Sequence, residues 1–182
     1  TSMFELSDVR FHSILDIPSL RIEARRITTL VGRSGSGKTT LLRMLNRMVS
    51  PASGRIVYDG RNLDDLDPVA LRREVSMLSQ NPVVFEGDVR RNLTVGLAFQ
   101  DRPIPGDDAL QAVLKQVDLN KDLDAPTTKM SGGEKQRMAL GRVLLLDSPV
   151  YLMDEPSSAL DEDMEDEIIG MIAEHVRDAG KT

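Results

Sequence analysis

Gly32-Arg33-Ser34-Gly35-Ser36-Gly37-Lys38-Thr39 is the stretch on which the reading of this chain turns. It follows the apolar run Ile27-Thr28-Thr29-Leu30-Val31. After Thr40, Leu41, Leu42, Leu45 and Met48 recur at helical spacing until Pro51 stops the helix. A glycine-rich loop between a buried strand and a helix turns backbone N–H groups inward, where they and the helix N-terminus cradle phosphates. On this reading Gly32 to Thr40 make the nucleotide-contacting loop. Lys38 reaches the β- and γ-phosphates and the Thr39 hydroxyl holds Mg²⁺.

Outward from the loop, Phe4 to Val31 carries strand-like stretches, and a short strand pair is expected around Arg55–Tyr58 with Asp59-Gly60 as its turn. Asp67-Pro68 reads as an N-cap and first helical residue. Val75 to Leu78 is a short apolar strand. Between Pro82 and Met130 the pattern is mainly helical, with Leu110, Val113, Leu114 and Val117 on one stripe. A helix follows from Ser131, then a strand over Val150–Met153, then a helix from about Asp161 to Arg177. Such alternation predicts an α/β fold with a mostly parallel sheet.

The strand Val150–Met153 emits two adjacent carboxylates, Asp154 and Glu155. Neighbouring strand residues point to opposite sides, so the two should have separate tasks. Asp154 is suited to the Mg²⁺ shell and Glu155 to the general base for an attacking water. Alone, an apolar strand ending in Asp-Glu is more often a strand meeting solvent; the phosphate loop upstream reverses that balance. In Met130-Ser131-Gly132-Gly133-Glu134-Lys135-Gln136-Arg137, Ser131 and Glu134 form a capping box ahead of a helix. Its exposed N–H groups and dipole make a second anion-facing helix end.

These motifs, in this order, resemble the ABC ATPase family, whose signature is Leu-Ser-Gly-Gly-Gln. Met130 replaces the leucine and Glu134 the glutamine. The resemblance implies a P-loop NTPase (RecA-like) core with a small antiparallel β subdomain and a helical subdomain. The core would be residues 1–81 and 141–182, and the helical insertion about 82–140. It also implies that Gln80 is the glutamine that senses Mg²⁺ and water. Ser158-Ala159-Leu160-Asp161 would cross a dimer interface. Phe11 is either the aromatic that stacks on adenine or an ordinary core phenylalanine. Two copies would stack head to tail in an ATP-dependent homodimer. ATP would lie between the Lys38 loop of one and Ser131-Gly132-Gly133-Glu134 of the other. Closure would pass near Gln80 to a transmembrane permease subunit, placing the chain in the cytoplasm at the inner face of the membrane. The family's γ-phosphate histidine has no match here: His12 is N-terminal and His175 reads as a helix-face residue beside Met164, Ile168 and Met171. The chain is therefore expected to be truncated before it.

The 182 residues are 40% hydrophobic and 29% charged, as in an ordinary globular domain. A net charge of −6 argues against a nucleic-acid-binding surface. No cysteine is present, which excludes disulfides and thiolate metal sites. No apolar run approaches a membrane span, so direct insertion is not expected; Thr1-Ser2 ahead of Met3 reads as a cloning remnant. Among ABC ATPases, the short separation of Lys38 and Ser131 leaves no room for the insertions of DNA-repair and chromosome members. The compact helical region is most similar to stand-alone bacterial subunits of the iron-export (Fet) type. The expected function is ATP hydrolysis driving a membrane transporter, with a soluble ATPase of the iron–sulfur assembly type as the alternative.

Overall fold

The computed structural model describes all residues, Thr1–Thr182, in two compact units. The first holds Thr1–Ser76, Pro149–Leu152 and His175–Thr182; the second holds Met77–Ser148 and Met153–Glu174.

The first unit is built on a four-stranded antiparallel sheet. Its strands are β1 (Ser2–Phe11), β2 (Leu15–Glu23), β3 (Ser53–Tyr58) and β4 (Arg61–Asn62), in the order β2-β1-β3-β4. Phe4, Leu6, Val9, Ile22, Ile56 and Tyr58 are buried; Phe4/Leu6 and Ile56/Tyr58 keep the period of two, and Val9 follows Leu6 by three where β1 is irregular between Ser7 and Arg10. The expected Asp59-Gly60 turn joins β3 to β4. Both residues have positive φ, 44° and 76°, the left-handed pair that matches the twist of a tight hairpin. Helix α1 (Lys38–Leu45) buries Leu41, Met44 and Leu45. Helix α2 (Pro68–Glu74) starts as expected: the Asp67 carboxylate accepts the Ala70 N–H at 2.8 Å and Pro68 opens the first turn.

Two expectations fail here. Ile27–Val31 is not a strand, and Ile27 and Val31 are 51% and 89% exposed. β-branched residues favour extended backbone, but a strand exists only where a neighbour supplies its ladder, and this run joins no sheet. The helix after the loop stops at Leu45, short of Met48, which is exposed; Arg47 already lies in the left-handed region at φ 57°.

Strands β5 (Val75–Leu78) and β6 (Val150–Met153) have the predicted bounds and form a two-stranded sheet. The second unit is mainly helical: α3 (Val89–Phe99), α4 (Asp107–Gln116) and α5 (Gly132–Leu145) pack together, and most of α6 (Glu162–Asp178) belongs to it. Leu110, Leu114 and Val117 are buried as their spacing predicts. Gly141 permits close packing on α5, because a Cβ there would meet Leu93 and Val113 at 3.1 Å. No helix is long and apolar enough to cross a membrane.

Candidate nucleotide site

In the first unit, the glycine-rich loop has the geometry its composition predicts. Gly35 and Gly37 have φ of 77° and 96°, a region in which a side chain is strained. A Cβ on Gly37 would also sit 2.6 Å from the Leu15 side chain, and one on Gly32 2.8 Å from Ser36 Oγ. Gly37 caps α1 without a side-chain bond, and the first turn carries no acidic residue. The helix end is therefore left to backbone N–H groups and the positive end of the dipole, which suits a phosphate. Lys38 Nζ folds back to donate to the carbonyl oxygens of Gly32 (2.5 Å) and Arg33 (2.9 Å), and the Ser36 N–H donates to Arg33 C=O at 3.1 Å. The ammonium thus already sits against the loop that an anion would occupy. Phe11 ends β1, half-buried, its ring edge-on to His12 at 4.4 Å.

In the second unit, Gln80 and Glu155 lie 75 positions apart and meet: Gln80 Nε2 donates to the Glu155 carboxylate at 2.7 Å. Asp154 is 6% exposed and its N–H donates to Leu78 C=O at 2.9 Å, fixing the segment at the end of β5. Glu155 is exposed and left-handed, φ 48°, unusual for a residue with a long side chain. Of the two adjacent acids, Asp154 is thus buried and Glu155 open to solvent.

The helix end at Ser131 forms the full capping box. Ser131 Oγ accepts the Glu134 N–H at 3.1 Å, and Glu134 Oε1 accepts the Ser131 N–H at 3.1 Å. Glu134 Oε2 meets Lys121 Nζ at 2.9 Å. That ammonium, with the Ser131 N–H behind it, holds the Glu134 carboxyl below the usual carboxylate range. The glutamate standing where the signature has glutamine is therefore a neutralised, engaged one. At Gly133 a Cβ would lie 3.1 Å from Ala159 C=O, so the first turn of α5 runs close to the loop after Glu155.

Three residues that the sequence did not single out organise this unit. Buried Gln136 bonds the loop after Glu155. Lys121 neutralises Glu134. Arg142 donates to Asn92 C=O (2.7 Å), Val83 C=O (2.9 Å) and Asn92 Oδ1 (3.0 Å), and lies 5.1 Å above the Phe85 ring. The available signal was a polar residue on an apolar helix face: Gln136 shares its stripe with Ala139, Leu140 and Val143.

A strained glycine loop opening a helix, with a lysine folded over it, defines a nucleotide-binding P-loop protein. The comparisons narrow this class: the ABC transporter family model matches residues 15–158, and the chain belongs to that family as an ATP-binding domain. It is 38% identical over 174 residues to the phosphate import ATP-binding protein PstB 3 of Natronomonas pharaonis, covering 90% of this chain and 63% of that protein. It is 42% identical over 171 residues to the mycobactin import ATP-binding/permease protein IrtB of Mycolicibacterium thermoresistibile, covering 86% and 29%. Among solved structures, a bacterial Atm1-family ABC exporter with ATP bound superposes at a TM-score of 0.86 with 28% identity, over 96% of this chain and 33% of that one. CbiO1 of Clostridium perfringens, part of the transporter complex cbiONQ, gives 0.83 with 25% identity over 98% and 75%. The chain thus spans from under a third to about two thirds of the length of these two sequence relatives.

Proposed function

We propose that this domain binds ATP with Mg²⁺ and hydrolyses it to drive a membrane transporter. The observation that carries this reading is the pairing of Gln80 with Glu155, a water-orienting amide against a carboxylate, in a chain with a strained phosphate loop. The phosphate loop fits the triphosphate: inward N–H groups, a helix N-terminus without acids and the Lys38 ammonium. The Thr39 hydroxyl, the Gln80 amide oxygen and the Asp154 carboxylate are hard oxygen donors of the kind Mg²⁺ takes. When bound, Mg²⁺ neutralises charge on the β- and γ-phosphates.

Glu155 takes a proton from the attacking water as its oxygen bonds to the γ-phosphorus. The bond to the β-phosphate oxygen breaks, leaving ADP and phosphate. Gln80 holds the carboxylate in place and orients the water. The Ser131–Glu134 end of α5 offers its N–H groups to the triphosphate held by a second copy, in a head-to-tail homodimer, with Phe11 beside the adenine. Residues 82–140 act as the helical insertion of a core made of 1–81 and 141–182. The transmembrane partner holds the domain at the cytoplasmic face of the membrane. The relatives named above are transport proteins, which favours transport over a soluble assembly role.

The test uses the full-length protein with its membrane partner. Lys38→Ala is expected to lose ATP binding. Glu155→Gln should retain binding and lose turnover by on the order of a thousandfold, the scale of losing general-base catalysis. Absence of ATP binding by the parent, or parent-level turnover in Glu155→Gln, refutes the reading.

A further inference from the structure

Gln136 lies in the second turn of α5 with its side chain 2% exposed. A buried primary amide needs partners for both ends, and this one finds them on a single loop. Its Nε2 donates to the Glu155 backbone oxygen at 3.0 Å and to Ser158 Oγ at 3.3 Å, while its Oε1 accepts the Ala159 N–H at 3.2 Å. The loop needs such a hold. Glu155 is left-handed at φ 48°, and a non-glycine residue stays there only if its surroundings over-determine it. One local bond helps, from Ser158 N–H to Glu155 C=O at 3.2 Å. Gln80 holds the Glu155 carboxylate and Ser157 Oγ donates to Glu165, while the side-chain bond to the Glu155 backbone comes from α5, whose first turn at Gly133 already approaches Ala159 C=O too closely for a Cβ to fit without a shift.

We propose that Gln136 is a positioning residue for hydrolysis: it locks the backbone of Glu155, and so the carboxylate, to the Ser131-capped end of α5. This rests on the function proposed above and assigns a role that function does not require. Its consequence is mechanical. Because Gln136 is one turn from Ser131–Glu134, the helix end offered to a phosphate and the carboxylate that takes the proton move as one body. An anion drawn to the helix end therefore carries Glu155 with it. Gln136 is buried and its amide is engaged with the loop after Glu155, so its loss should alter the rate of the chemical step and leave ATP affinity alone.

The experiment compares Gln136→Met and Gln136→Glu with the parent, in the full-length protein with its partner. Methionine keeps the length and fills the space but makes no bond to Glu155 C=O. The expected result is a fall in kcat of roughly a hundredfold, the scale of an ångström-sized misplacement of a catalytic group, with KM and ATP Kd within about twofold of the parent. Glutamate is a reporter of the same bond. Ionised, it repels Glu155 C=O; protonated, it is the shape of glutamine and donates to it. The kcat of Gln136→Glu relative to the parent should therefore rise as pH is lowered from 8 to 6, a recovery that packing alone does not produce. Parent-level kcat in Gln136→Met overturns the proposal, as does a rate ratio for Gln136→Glu that does not change with pH. If Gln136→Met fails to fold, the Gln136→Glu pH profile decides by itself. A parent that binds no ATP would instead refute the function, an outcome read separately from either variant.

Discussion

Arg142 offers the sharpest test of how the helical unit is held together. Its guanidinium is largely withdrawn from water, with no carboxylate beside it, and burial pushes its pKa down from 12.5 to about 10. It remains charged at neutral pH, so the fold bears the desolvation, about 3 kcal/mol at 1.36 kcal/mol per pKa unit. Against that stand three hydrogen bonds from a charged donor, to Asn92 C=O, Val83 C=O and Asn92 Oδ1. Each contributes about 1.5–3 kcal/mol. The Phe85 ring beneath the cation adds roughly 0.5–1 kcal/mol. The surplus is a few kcal/mol. Arg142→Met, which keeps the apolar stem and removes the fork, should therefore destabilise the fold by about 2–4 kcal/mol. For a domain of this size each kcal/mol lowers Tm by about 2–4 °C, so the loss should fall between roughly 5 and 15 °C. Arg142→Lys should recover little, since one ammonium on a flexible stem does not reproduce a planar fork. Thermal and urea unfolding give the size of the effect. Amide exchange at Phe85, whose N–H donates to Asn92 Oδ1 at 2.8 Å, gives its place. If both variants unfold within about 0.5 kcal/mol of the parent, a difference expected of ordinary surface changes, the ledger is wrong.

Gly54 has φ 93°, and a Cβ there would lie 2.3 Å from Asp8 C=O, where β1 and β3 shift register. Gly54→Ala should cost about 3 kcal/mol or more and reduce soluble yield, since backbone rather than a flexible side chain must move; a parent-like urea midpoint would contradict this. Glu134 carries a carboxyl depressed first by Lys121 and then by the Ser131 N–H. A depressed folded pKa contributes stability that is present above the unfolded value of about 4.3 and is lost as pH falls through the folded value. Glu134→Gln should thus lie below the parent by no more than about 1 kcal/mol at pH 7, and the gap should close under acid; a gap that persists at pH 3 would show that the ion pair is not its source. Raising salt should narrow the same gap at pH 7, because both partners are partly exposed.

Local chemistry alone determined much of this molecule. The capped start of α2 at Asp67, the Asp59-Gly60 turn, the capping box at Ser131 and the strands Val75–Leu78 and Val150–Met153 are each set by residues within a few positions of one another. Backbone preference and short-range hydrogen bonds suffice there. The glycine loop was legible for the same reason: its turn takes positive φ at Gly35 and Gly37, and only glycine supplies it cheaply. Long-range pairing was decided elsewhere. Ile27–Val31 has the composition of a strand and is none, because a ladder needs a neighbour that no local pattern specifies. The acidic strand end pointed to Glu155 and the resemblance to Gln80, but only the tertiary structure set them 2.7 Å apart. Gln136 left only the faint mark of a polar residue on an apolar helix face, and Lys121 and Arg142 left none, because a lysine or an arginine looks the same whether solvated or engaged. What distinguishes them is the carbonyl, carboxylate or amide that folding brings opposite each one.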